Sequence, residues 1–214
     1  MSNLRRYFTD GNYYFITTVT RNRIPALVDN SDLCITAMKR TSERFNLEIL
    51  AWVILLDHIH LIIDPRGENI SDIMKIFKQY FGFLYRQRSG MQKGRVWQLR
   101  FWGHVIRDQK DLNCHIDYIH YNPVKHGLVH TAREYKYSSF PEFVKKGLYQ
   151  EDCGEREKFN FNGEFGELYG FNNVKPPQPR PSLPQVGLTY SDFIPSETEF
   201  GSRPNLRKLH FIWE

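Results

Sequence analysis

Residues 47–63 read LEILAWVILLDHIHLII, and how this stretch is divided decides the fold. Two apolar runs, 47–56 and 59–63, flank the polar pair Asp57-His58, which fits either two strands or one long bent strand. Strand periodicity places His58 and His60 on one face and turns Ile59 to the other. Two imidazoles side by side can hold one divalent metal. A histidine pair on a half-exposed strand can equally sit in solvent and bind nothing.

Working outward, residues 13–20 (YYFITTVT) are aromatic and β-branched, which predicts a first strand ended by the basic turn Arg21-Asn22-Arg23. Ser31 reads as the N-cap of a helix reaching Arg44, with Leu33, Ile35 and Met38 on its apolar stripe. Downstream, Pro65-Arg66-Gly67 closes the strand region. Ile73, Ile76, Phe77, Tyr80, Phe81 and Leu84 then recur at helical spacing over 71–88. Gly90 and Gly94 open a loop, residues 103–107 (GHVIR) suit a short strand, and a helix is expected over 111–121, closed by Pro123. This order predicts an α+β fold: a ferredoxin-like βαββαβ antiparallel sheet with helices packed on one face, followed by an extra helix.

The predicted catalytic domain spans residues 1–150. Its continuation, 151–214, includes KPPQPRPSLP at 175–184, with five prolines in ten residues, and reads as a partly flexible extension. Charge divides at the same place. Residues 1–150 carry 22 basic against 14 acidic side chains, and residues 151–214 carry 7 against 10. A basic body suits an anionic partner, because phosphate contacts release counterions. No run approaches the roughly 20 apolar residues of a membrane helix and the N-terminus lacks an apolar signal region, so a cytoplasmic, nucleoid-associated protein is expected. Cys34, Cys114 and Cys153 form no CxxC pair and are expected to be reduced thiols.

Residues 115–123 read HIDYIHYNP. On a helix, His115, Tyr118 and Asn122 share one face, while Leu112, Ile116 and Ile119 line the adjoining buried one. Tyr118 and Asn122 therefore project together. An amphipathic helix with a tyrosine at its rim would look the same, but a phenol beside an amide oxygen also suits attack on a metal-bound phosphate. Tyrosine titrates near pH 10, so it needs help to attack at neutral pH. Asn122 would add an oxygen ligand.

Between Lys75 and Arg107 there are eight basic residues and no acidic one, interleaved with Phe77, Tyr80, Phe81, Phe83, Tyr85, Trp97, Phe101 and Trp102. Cations that track phosphates and rings that stack on unpaired bases are the equipment of a single-strand binder. Phe77, Tyr80 and Phe81 read as core. Arg21, Arg23, Arg95, Arg100, Arg107 and Lys110 are the candidate phosphate contacts in the body of the chain.

Five ordered blocks resemble the REP-associated tyrosine transposases, a branch of the single-tyrosine HUH endonucleases. They are Arg5-Arg6-Tyr7, YFITTVTRNR at 14–23, AWVILLDHIHLI at 51–62, WQLRFWGHVIRD at 97–108 and DYIHYNPVKHGLV at 117–129. The family usually places Pro with Asn or Glu before the first histidine, where Leu56-Asp57 stands here. The resemblance implies His58, His60 and Asn122 as ligands of Mg²⁺ or Mn²⁺ and Tyr118 as nucleophile. It also implies a 5′-phosphotyrosine intermediate, and hairpin-forming single-stranded DNA, REP-like palindromes, as partner. Arg5 and Arg6 would read the hairpin foot. Relatives include monomers and homodimers. Two rivals are a domesticated, non-catalytic binder of hairpin or single-stranded DNA, and a metallohydrolase that uses water and leaves Tyr118 idle.

Overall fold

A computed structural model of the chain describes residues 12–149; Arg5, Arg6 and the expected extension 151–214 lie outside the described residues. Strands β1 (Tyr14–Val19), β2 (Glu48–Ile54), β3 (His58–Asp64) and β4 (Trp102–Val105) alternate with helices α1 (Ser31–Phe45) and α2 (Ile70–Ser89). Helices α3 (Gln109–Lys125) and α4 (Phe140–Lys145) follow. The sheet order is β2-β3-β1-β4 with every neighbour antiparallel, the arrangement expected of a βαββαβ unit.

The deciding stretch is two strands. Leu55 N–H donates to the His58 carbonyl at 2.9 Å, so Leu56-Asp57 is a two-residue hairpin loop. Strand alternation then sorts the side chains. Ile16, Trp52, Ile54, Ile59, Leu61 and Ile63 pack with α1 and α2 on one face of the sheet. Phe15, Val53 and Ile62 face Leu112, Ile116, Tyr118 and Ile119 of α3 on the other. A register shift between Ile49 and Ala51 puts both Leu50 and Ala51 on the α3 face. With helices on both faces the central strands lose nearly all exposure, and burying each large apolar side chain contributes roughly 1.5–3 kcal/mol.

Two expectations need correction. Ser31 is the first helical residue of α1; Asn30 takes the cap position without a side-chain cap bond. Pro123 does not end α3, which continues to Lys125. A proline removes a single N–H, and here it falls two residues from the end of α3. His126 N–H on the Asn122 carbonyl and Leu128 N–H on the Pro123 carbonyl, at 3.0 and 2.9 Å, close the end instead. Among the described residues no helix is long and apolar enough to cross a membrane.

Candidate functional site

The pairing of β1 with β3 sets the site, because it puts Thr17 opposite His60 and Val19 opposite His58. Both histidines point to the α3 side, with ring centroids 5.0 Å apart and exposures of 3% and 0%. Each has its Nδ1 engaged by a neighbour. His58 Nδ1 lies 2.6 Å from Asp57 Oδ1, and His60 Nδ1 lies 2.8 Å from Thr17 Oγ1. Those contacts orient the rings so that Nε2 is the nitrogen suited to a metal. Burial alone would raise the Asp57 carboxyl, but the hydrogen bond with His58 and the charges of His58 and Arg23 outweigh it and hold it below the usual range.

Helix α3 crosses this face. The Tyr118 ring meets the His60 ring edge-on at 5.4 Å, and Phe15 lies beside both, 5.4 Å from His60 and 6.0 Å from Tyr118. One turn on comes Asn122, fully buried, and one turn further His126, whose ring is 5.3 Å from His58. Helical spacing therefore sets Asn122 between the residues that face the two histidines. Continuation through Pro123 brings round Lys125. Its Nζ donates to the Tyr118 hydroxyl at 3.0 Å and sits 4.8 Å from the ring centroid. The rival tyrosines lie elsewhere. Tyr121 packs with Val124, Ala132 and Phe140, and Tyr80 packs against the core on the opposite side of the sheet.

The basic candidates separate into three groups. Arg21 N–H bonds the Val96 carbonyl at 2.7 Å and Gln98 N–H the Val19 carbonyl at 2.9 Å, which joins the basic turn to the loop carrying Arg95 and Arg100. Arg21, Arg95 and Arg100 are exposed at the His58 end of the sheet. Arg23 instead pairs with buried Asp57 at 3.0 Å. Arg107 and Lys110, also exposed, lie beyond Val105, which pairs with Tyr14 at the far end of β1. Of the aromatic residues, Phe77, Phe81 and Trp97 are core, while Phe83 is 53% exposed.

Sequence reading missed Thr17, Asp57, Phe15, Lys125 and His126 as parts of the site. Thr17 and Phe15 follow only from strand pairing. Lys125 had a local signal, being two turns from Tyr118, but the proline concealed it. A second group of ligand-type side chains, His104, Asp111 and His115, lies nearer the start of α3.

A histidine pair on a central strand and a tyrosine of α3 thus meet on the α3 face of the sheet. Residues 9–122 match the model of the IS200-like transposase family, and the chain belongs to that family, whose chemistry is DNA cleavage and strand transfer. The chain is 39% identical over 175 residues to a Haemophilus influenzae protein described provisionally as a REP-associated tyrosine transposase, covering 77% of this chain and 99% of that one. It is 36% identical over 155 residues to the REP-associated tyrosine transposase of Escherichia coli K12, covering 71% and 90%. A solved REP-associated tyrosine transposase bound to a REP hairpin superposes with a TM-score of 0.64 at 32% identity, covering 82% of this chain and 99% of that one.

Proposed function

We propose that this chain nicks and rejoins single-stranded, hairpin-forming DNA, with Tyr118 as nucleophile. The observation that carries the proposal is the position of the Tyr118 hydroxyl, held by Lys125 on a helix packed against a preoriented histidine pair. In the forward step the phenolic oxygen bonds to phosphorus and the P–O3′ bond breaks. Tyr118 gives up its proton and the departing 3′-oxygen gains one, so the products are a 5′-phosphotyrosine and a 3′-hydroxyl. The link conserves the phosphodiester, so a 3′-hydroxyl can reverse the step without ATP.

Two imidazole nitrogens and one amide oxygen, from His58, His60 and Asn122, fit a divalent ion, and the imidazoles suit Mn²⁺ better than Mg²⁺. Such an ion supplies Lewis-acid polarisation of the scissile phosphate. The remaining work belongs to the chain. Asp57 and Thr17 fix the imidazole rings, Phe15 packs beside the ring of Tyr118, and the Lys125 ammonium favours the phenolate both as nucleophile and as leaving group. Arg21, Arg95 and Arg100 supply cations for the DNA backbone at the same end of the sheet. Hairpin DNA is the partner because the solved relative binds a REP hairpin and a basic, aromatic loop borders the site. Arg5 and Arg6 are carried in the same proposal as contacts to the hairpin foot.

Replacing Tyr118 by Phe removes one oxygen from a buried ring. That variant should still bind a hairpin oligonucleotide, yet neither nick it nor form an adduct. Mass spectrometry of the trapped wild-type complex should place the nucleotide on the peptide containing Tyr118. An adduct on Tyr121, or nicking by the Phe variant, would refute the assignment.

A further inference from the structure

At the opposite end of α3 from Lys125, three ligand-type side chains converge from two elements. β4 supplies His104, which pairs with Phe15 of β1. The first turn of α3 supplies Asp111, and His115 follows one turn later. The Asp111 carboxylate is shared, with Oδ2 at 2.9 Å from His104 Nε2 and Oδ1 at 3.1 Å from His115 Nδ1. The two imidazoles stack with centroids 4.8 Å apart and planes 13° from parallel. All three donor atoms fall within 4.8 Å of one another.

We infer that His104, Asp111 and His115 form a second metal site, separate from the His58–His60 pair and selective for Zn²⁺-like cations. The edges of the triangle carry the inference. Ligand atoms ~2.1 Å from a tetrahedral zinc ion are about 3.4 Å apart, and the Asp111 oxygens stand 2.9 and 3.1 Å from the two imidazole nitrogens, so a small opening of the cluster would seat the ion. Two nitrogens with one carboxylate oxygen favour Zn²⁺ over Mg²⁺, which prefers an all-oxygen shell and keeps its waters. His115 and Asp111 side chains are 7% and 11% exposed and that of His104 is 25% exposed, so a bound ion would be shielded on the α3 side and open to a water ligand on the His104 side.

Three contacts compete with the ion. Arg107 N–H donates to Asp111 Oδ2 at 3.0 Å, which takes one lone pair and leaves Oδ1 and the other lone pair of Oδ2 for a metal. Arg107 Nε lies 3.2 Å from Asp111 Oδ2, but its side chain is 75% exposed and can swing into solvent. His115 Nδ1 lies 2.8 Å from the Asp111 carbonyl, a bond that ligation would replace. A metal here would pin β4 to the start of the helix that carries Tyr118. The inference does not depend on Tyr118 being the nucleophile.

The test uses the full chain carrying His58→Ala and His60→Ala, titrated with Zn²⁺ by calorimetry and followed by thermal unfolding. This host should bind one tight equivalent of Zn²⁺. With Zn²⁺ at ~100 times the dissociation constant, its Tm should rise by ~5–10 °C. Adding His104→Gln should weaken binding by more than ~100-fold, since losing even a residue behind a ligand costs ~10–100-fold. If that variant does not fold, Asp111→Asn, which keeps the side-chain size, should abolish the Tm rise. The inference is overturned if the host binds no tight Zn²⁺, or if binding survives His104→Gln or Asp111→Asn unchanged. A wild-type chain that fails to nick hairpin DNA while this host binds Zn²⁺ would count against the nuclease reading and leave this site standing.

Discussion

Replacing Lys125 by Met should slow adduct formation about tenfold without disturbing the fold. Lys125 is an exposed residue, so little packing is lost, but its ammonium donates to the Tyr118 hydroxyl at 3.0 Å. A hydrogen bond from a charged donor contributes ~1.5–3 kcal/mol. Solvent around Lys125 argues for the low end of that range, and ~1.4 kcal/mol off a barrier is one decade in rate. The bond should strengthen as negative charge gathers on the phenolic oxygen, so the loss should fall on the chemical step rather than on binding. The assay is single-turnover formation of the covalent adduct on a 5′-extended hairpin at saturating DNA, with the dissociation constant measured separately. Lys125→Arg keeps the charge and should recover most of the rate. A Met variant within twofold of wild type, or an Arg variant as slow as Met, would refute the role.

Replacing both His58 and His60 by Ala should abolish nicking while hairpin affinity falls less than tenfold, because phosphate affinity resides in the basic surface; gel-shift and cleavage assays on one substrate check this. Arg21→Gln should reduce the salt dependence of single-strand binding by about 0.7 in log–log slope for the phosphate contact it loses. Arg23→Gln should instead lower Tm, because it leaves the Asp57 carboxylate buried without its guanidinium. Equal salt slopes for these two variants would contradict the division of roles. His120 is buried, its Nε2 lies 2.8 Å from Ser139 Oγ, and burial pushes its pKa down to about 3. The unfolded chain, with an ordinary histidine near 6.5, then binds the extra proton between those values. Stability from this group is full above about pH 6.5 and is lost on acidification by up to ~1.4 kcal/mol per unit. A His120→Gln variant should show a shallower fall of Tm between pH 6.5 and 4, and an unchanged slope would sink the assignment.

Aromatic and β-branched composition in 13–20, apolar runs on either side of Asp57-His58, helical spacing in 71–88 and 111–121, and the glycine and proline punctuation between them determined the βαββαβ order. Each of those signals is local. The same periodicity placed His58 with His60 and Tyr118 with Asn122, since residues on one face of one element are neighbours whatever surrounds them. Contacts between elements were decided by the tertiary structure. Strand register brought Thr17 and Phe15 to His60, residues 43 and 45 positions away, and sheet packing turned Arg23 from a surface cation into the partner of Asp57. The path of α3 beyond Pro123 was also a tertiary outcome. A proline's intrinsic cost in a helix, ~3 kcal/mol in the interior, is reduced near the end and offset by burying Tyr121 and Val124 against Ala132 and Phe140. That one extra turn put Lys125 on Tyr118, which no local signal in a helix ending at Tyr121 could have reported.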